Sequence, residues 1–171
     1  MPSGFPASRH EGRCYPPSGA KVAGHGPKDI GAVASVGMTT VLLATDADWL
    51  FDTLDAAIGD KNMTLYRVRS GREVLAACHQ VEPDLVVLDL QIGNAGGVAT
   101  SLALRQEQDM GRLGSAKVLI LLDRTADVFM AATARADGWL LKPLDSRRLR
   151  HGVAAVLAGR PVHEGSLTPA E

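Results

Sequence analysis

At 171 residues the chain is long enough for one domain with a proper core and too short for two ordinary domains plus linkers. Its 46% hydrophobic and 22% charged residues exclude a disordered or fibrous chain. The 18 basic and 19 acidic residues, formal net charge -1, are spread along the chain and exclude the concentrated positive footprint that nucleic acid demands.

Residues 1–37 are rich in Gly, Pro, Ser and His and are expected to form a disordered arm. GHGPKD, Gly24 to Asp29, lacks the preceding strand and the GK[ST] ending of a phosphate loop. From residue 38 to about 160, β-branched and leucine-rich runs alternate with stretches of helical periodicity, the pattern of βα units around a parallel sheet. The expected strands are Thr40 to Ala44, Met63 to Val68, Leu85 to Leu88, Lys117 to Leu122 and Gly138 to Leu141. The continuously apolar VLLA, LVVL and VLILL suit central strands covered on both faces. The expected helices are Asp48 to Ile58, Gly71 to Val81, Gly97 to Gln106, Ala126 to Arg135 and Ser146 to Leu157. Asp48 and Asp145, just ahead of helical stretches, are expected to cap them. After Gly159 the composition turns polar, and residues 161–171 are expected to be a flexible tail.

Cys14 and Cys78 lack the spacing of a zinc site or a disulfide framework, which points to a reducing, cytoplasmic setting. No apolar run approaches the roughly 20 residues of a membrane-spanning helix, and the layout of a signal peptide is missing.

In a doubly wound sheet, ligands bind outside the carboxyl ends of the strands. Here those ends carry Thr45 and Asp46, then Asp89, then Asp123 with Thr125, and last Lys142 and Pro143. Like charges on one rim repel unless a cation holds them, so three carboxylates and a lysine suggest a site. Oxygen donors of this kind suit Mg2+, and a carboxylate can itself be a nucleophile that forms an aspartyl-phosphate. Asp89, ending the central strand ahead of a flexible GNAGG turn, is the best placed nucleophile, with Asp46 as a metal ligand.

These residues resemble the receiver domain of response regulators in two-component signalling. DLVVLDLQIGNAGG is similar to the phosphoacceptor strand and its following loop, and Lys142–Pro143 in ADGWLLKPLD to the fifth-strand motif. The resemblance implies a flavodoxin-like (βα)5 fold, a doubly wound five-stranded parallel sheet in the order 2-1-3-4-5. It also implies Asp89 as phosphoacceptor, Lys142 on the phosphoryl group, a cis bond before Pro143, and Mg2+ held by Asp46, Asp89 and the backbone carbonyl of Gln91. Trp139 stands where the family has its switch aromatic, although packing without switching is an equal reading.

Two positions depart from that pattern. Thr45 replaces one of two consecutive acids, which weakens or rearranges metal binding. Asp123 stands where a Ser or Thr would sense the phosphoryl group, unless the loop is shifted so that Thr125 supplies the hydroxyl. The resulting expectation is a stand-alone phosphorelay receiver, not a turnover enzyme, that takes a phosphoryl group from a histidine kinase or phosphotransfer protein. It would signal to a downstream protein target through its fourth and fifth helical faces, without contacting nucleic acid or membrane, with a homodimer left open. The rival reading is a phosphorylation-independent pseudo-receiver that keeps the fold and the partner face.

Overall fold

In the computed structural model of this chain the described residues are 38–59 and 62–165, so the expected arm and the last six residues lie outside them. Each apolar run becomes a strand because its neighbours cover both of its faces. In chain order the elements are β1 (Thr39–Ala44), α1 (Asp48–Ile58), β2 (Met63–Val68), α2 (Gly71–Val81), β3 (Leu85–Asp89) and α3 (Gly96–Asp109). They continue with β4 (Lys117–Leu122), α4 (Val128–Thr133), β5 (Gly138–Leu141), α5 (Ser146–Leu157) and β6 (Val162–His163). All pairings are parallel, in the order β2-β1-β3-β4-β5-β6.

Residues alternate between two cores because successive side chains of a strand point to opposite faces. Leu42, Val86, Leu88, Val118 and Ile120 pack under α2, α3 and α4 through Val74, Leu104 and Ala131. Val41, Leu43, Val87, Leu119 and Leu121 pack under α1 and α5 through Leu50, Leu54, Leu149 and Val153. Reversal of the strand order at β1/β3 opens the crevice at the carboxyl edge, where the first strand end meets the third.

The structure corrects the sequence reading in several places. The sheet has six strands among the described residues, and the sixth, Val162–His163, lies in the segment expected to be a flexible tail. Its polar composition hid it: a two-residue edge strand offers too little alternation to read. The expected fourth helix is split into a 3-10 turn, Thr125–Asp127, and α4. Asp145 does cap α5, accepting the Arg148 amide at 2.8 Å. Asp48 does not cap α1; it is the helix's first residue, and its Oδ1 accepts from Arg67 and Arg69 at 2.6 Å each.

At the opposite, amino edge of the sheet a second charge cluster ties β4 to the loop before β5. Asp137 Oδ2 accepts from the Val118 amide at 2.7 Å and Arg105 at 2.6 Å, and Oδ1 from Lys117 at 3.3 Å. Burial pushes the Asp137 carboxyl up, but these donors outweigh it and hold the group below the usual carboxylate range. A depressed acid adds stability that is present above its unfolded value and is lost as pH falls through its folded one. Asp137→Asn is expected to cost about 2 kcal/mol at neutral pH, the scale of a charge-assisted network at a half-buried site. Urea unfolding should show it, with a flatter stability profile for the variant below about pH 4.

Candidate functional site at the carboxyl edge

β3 delivers Asp89 to the end of the sheet with 3% of its surface exposed. Val86, Val87 and Leu88 before it are wholly buried, so the strand cannot slide outward to hydrate the carboxylate. Three groups meet that charge instead. Lys142 Nζ, carried by the residue after β5, donates to Asp89 Oδ1 at 2.8 Å. The Gln91 amide donates to the same oxygen at 3.2 Å, and Thr45 Oγ1 donates to Oδ2 at 3.0 Å. Thr45 is itself fully buried, and its hydroxyl also accepts the Ala47 amide at 3.2 Å.

Lys142 is shared, since its Nζ also donates to Asp123 Oδ1 at 3.0 Å. Burial alone works against the ammonium, but the hydrogen bonds and charges of Asp89 and then Asp123 win and hold Lys142 above the usual lysine range. Lys142–Pro143 is a cis peptide bond. Gly97 brings α3 against the pocket floor: a Cβ there would stand 2.8 Å from the Asp89 carbonyl oxygen and 3.0 Å from Leu90 Cα. Both are backbone atoms, so a side chain has no room.

Of the residues singled out in the sequence, Asp89, Lys142 and Asp123 therefore share one hydrogen-bonded cluster. Asp46 stands exposed just past Thr45, and among the described residues its side chain makes no hydrogen bond or ion pair. Gln91 enters through its backbone amide. Thr125 is exposed at the start of the 3-10 turn and, among the described residues, makes no hydrogen bond with Lys142, which Asp123 meets instead. Trp139 is 5% exposed on β5, facing the α4 side of the sheet.

Magnesium is judged on donor chemistry. Mg2+ takes one or two carboxylates with a carbonyl and several waters. Asp89, Asp46 and the Gln91 carbonyl are oxygen donors of that kind, and two carboxylates, Asp89 and Asp123, share the single ammonium of Lys142. The donor set fits in composition, in a reduced form. No three of His, Cys, Asp or Glu among the described residues gather closely enough to hold a metal ion, and a hydroxyl sits where the family has another acid.

Sequence reasoning missed four participants. Thr45 was read as an absence, whereas it supplies a hydrogen bond. Arg67, 6% exposed on β2, donates from Nε to the Thr45 carbonyl at 3.1 Å and lies 5.4 Å over the Phe51 ring. Its Nη2 is buried without a partner among the described residues. An arginine inside an alternating strand is the signal that points to it. Glu164 and His163, which contact Trp139, gave no signal at all.

A doubly wound parallel sheet with a buried aspartate on its central strand and a lysine from the last main strand is the architecture of a signalling receiver. The chain belongs to the response regulator receiver domain family, whose model matches residues 41–154. The nitrate/nitrite response regulator NarL of Escherichia coli K12 is 30% identical over 100 residues, 58% of this chain and 45% of the relative. Staphylococcus aureus VraR, another response regulator, is 29% identical over 97 residues, 56% of this chain and 44% of the relative. The chain thus spans less than half the length of these curated relatives. Among solved structures, Vibrio cholerae chemotaxis protein CheY4 superposes with a TM-score of 0.62 at 20% identity, covering 70% of this chain and 99% of that one. The NarL signal receiver domain of Mycobacterium tuberculosis gives 0.62 at 21%, covering 71% and 98%. At such identities the likeness is one of fold. No helix among the described residues is long and apolar enough to cross a membrane.

Removing the ammonium strands a buried carboxylate. Lys142→Met is expected to cost on the order of 3 kcal/mol in urea unfolding at pH 7, with part recovered in the Lys142→Met/Asp89→Asn double variant. Because the folded lysine value is raised, its contribution is fully present below the unfolded value of about 10.4 and is lost as pH rises through the folded one. The wild-type chain should lose stability on alkaline titration where the double variant does not.

Proposed function

We propose that this chain is a cytoplasmic phosphorelay receiver that accepts a phosphoryl group on Asp89 and signals to a downstream protein target by direct contact. The donor is a histidine kinase or phosphotransfer protein. The observation that carries this reading is the Lys142 ammonium, held 2.8 Å from a carboxylate at the carboxyl edge of the central strand.

Asp89 Oδ1 is already occupied by Lys142 and the Gln91 amide, which leaves Oδ2 as the attacking oxygen once the Thr45 hydroxyl turns away. Attack forms an oxygen–phosphorus bond while the nitrogen–phosphorus bond of the donor phosphohistidine breaks, and the departing imidazole keeps the electron pair and takes up a proton. Lys142 stabilises the charge that develops on the phosphoryl oxygens. Asp46, Asp89 and the Gln91 carbonyl would hold Mg2+, which when bound supplies further neutralisation of those oxygens. Asp123 opposes the transfer, because an ionised carboxylate only accepts hydrogen bonds and repels a phosphoryl group. It also competes for Lys142.

The second reading, a phosphorylation-independent interaction module, is favoured by one observation: Asp89 is internally satisfied, with the Thr45 hydroxyl on the oxygen that would react. Mg2+ titration followed by beryllofluoride, a phosphoryl mimic, distinguishes the two through the amide signals of Thr45, Gln91 and Lys142. Shifts that vanish in Asp89→Asn support the receiver reading; unmoved signals overturn it in favour of the second. Asp123→Thr is expected to raise the phosphorylated fraction with a small-molecule phosphodonor by about tenfold, roughly the 1.4 kcal/mol that relief of one like-charge contact at a half-exposed site contributes.

A further inference from the structure

The edge of β5 is covered by the chain's own residues 160–165, and the contacts are specific. Gly138 pairs with Val162 and Trp139 with His163. The Glu164 amide donates to the Trp139 carbonyl at 3.3 Å, and Trp139 Nε1 donates to the Glu164 carbonyl at 3.0 Å. The His163 imidazole lies flat on the indole, with ring centroids 4.0 Å apart and planes 11° apart. Glu164 Oε2 accepts the Leu141 amide at 2.8 Å and pairs with Arg148. Arg148 in turn donates to the carbonyls of Leu141, at 3.0 Å, and Pro143.

Two glycines clear the path. A Cβ at Gly138 would stand 3.0 Å from the Val162 carbonyl oxygen and 2.9 Å from a Val156 methyl carbon. A Cβ at Gly165 would come within 2.7 Å of Leu141 and 3.2 Å of Thr125, at a φ of +71. The segment thus runs from the end of α5 across the edge of β5 to the turn ahead of α4, over the Trp139 side chain.

A two-residue strand at a sheet edge contributes little by itself, and His163 remains exposed to solvent. What holds it is a ring on a ring, one carboxylate on an arginine, and a few backbone bonds. These are the components of strand addition, in which backbone bonds give affinity and side-chain pockets give selectivity.

We propose that residues 160–165 are an autoinhibitory strap: the β5 edge is a docking site for an extended protein segment, and Val162-His163-Glu164 is its resident mimic. The incoming segment is recognised by its chemistry. It has an apolar residue beside Gly138, a planar ring stacked on Trp139, and an acid that reaches the Leu141 amide and Arg148. The strap engages the amide of Leu141, the residue before Lys142, and pairs with Arg148, which holds the Leu141 carbonyl, so displacing it loosens the end of β5 that carries the pocket ammonium. The proposal does not depend on phosphoryl transfer at Asp89.

The test uses the full chain with His163→Ala and Glu164→Ala together, and a labelled peptide of residues Ala158 to Gly165 as the probe. The expected result is at least tenfold tighter binding of the peptide to the double variant than to the unaltered chain. A control peptide with Lys in place of Glu164 should not bind. Equal binding to both chains, or none to the double variant, overturns the proposal. A variant-free measurement covers the case in which the double variant fails to fold. Amide exchange at Leu141 and Glu164 in the unaltered chain should proceed at least a hundredfold faster than at Val87, and equal protection overturns the strap. A Glu164-dependent dimer of the unaltered chain by size exclusion would also overturn it, because the segment would then add to a second copy.

Discussion

A carboxylate that folding forces out of water is the constraint around which this molecule is arranged. Asp89 cannot leave the end of β3, because the three residues before it are buried without remainder and Gly97 packs directly on its carbonyl. Its charge must therefore be met from elsewhere in the chain, by Lys142 from beyond β5, Thr45 from just past β1 and the Gln91 amide from the following loop. Three strand ends are thereby fixed to one another at the edge where the topology opens a crevice. A buried pair of this kind is poor as a source of net stability, since desolvation offsets most of the attraction. Its value is that it positions groups, and it makes the loss of either partner expensive.

The same constraint explains how the two unusual residues are accommodated. With a hydroxyl at Thr45 in place of an acid, one fewer negative charge crowds Asp89, and the hydroxyl can donate where a carboxylate could not. With an acid at Asp123, Lys142 serves two carboxylates and is held more firmly in its charged form. The unmodified pocket is therefore well satisfied, and this same satisfaction would oppose a second, phosphoryl, set of negative oxygens.

Much of this was legible in the sequence for a physical reason. Strands buried on both faces must be continuously apolar, so LVVL and VLILL announce themselves, and a charged residue ending such a run marks a strand terminus at the rim. Asp89, Asp123 and Lys142 were found in that way. What stayed hidden depends on tertiary partners that leave no local trace. Asp48 resembles a helix cap in sequence, yet two arginines from the neighbouring strand and its end draw it away. The sixth strand is two residues long in a polar stretch, so neither alternation nor hydrophobicity reveals it. One clue was available in Gly138, since a glycine inside a strand often marks close approach by another backbone.

That glycine also shows why the edge and the pocket belong to one mechanical unit. β5 is only four residues long, so Trp139 under the strap and Lys142 at the pocket are separated by less than its length. Its last residue, Leu141, has its amide on Glu164 and its carbonyl on Arg148, while its neighbour's side chain is on Asp89. A short strand gripped from both sides has few ways to move that do not change both grips. The pocket ammonium and the covered edge are thus held by one strand over a span of three residues, without a path through the core between them.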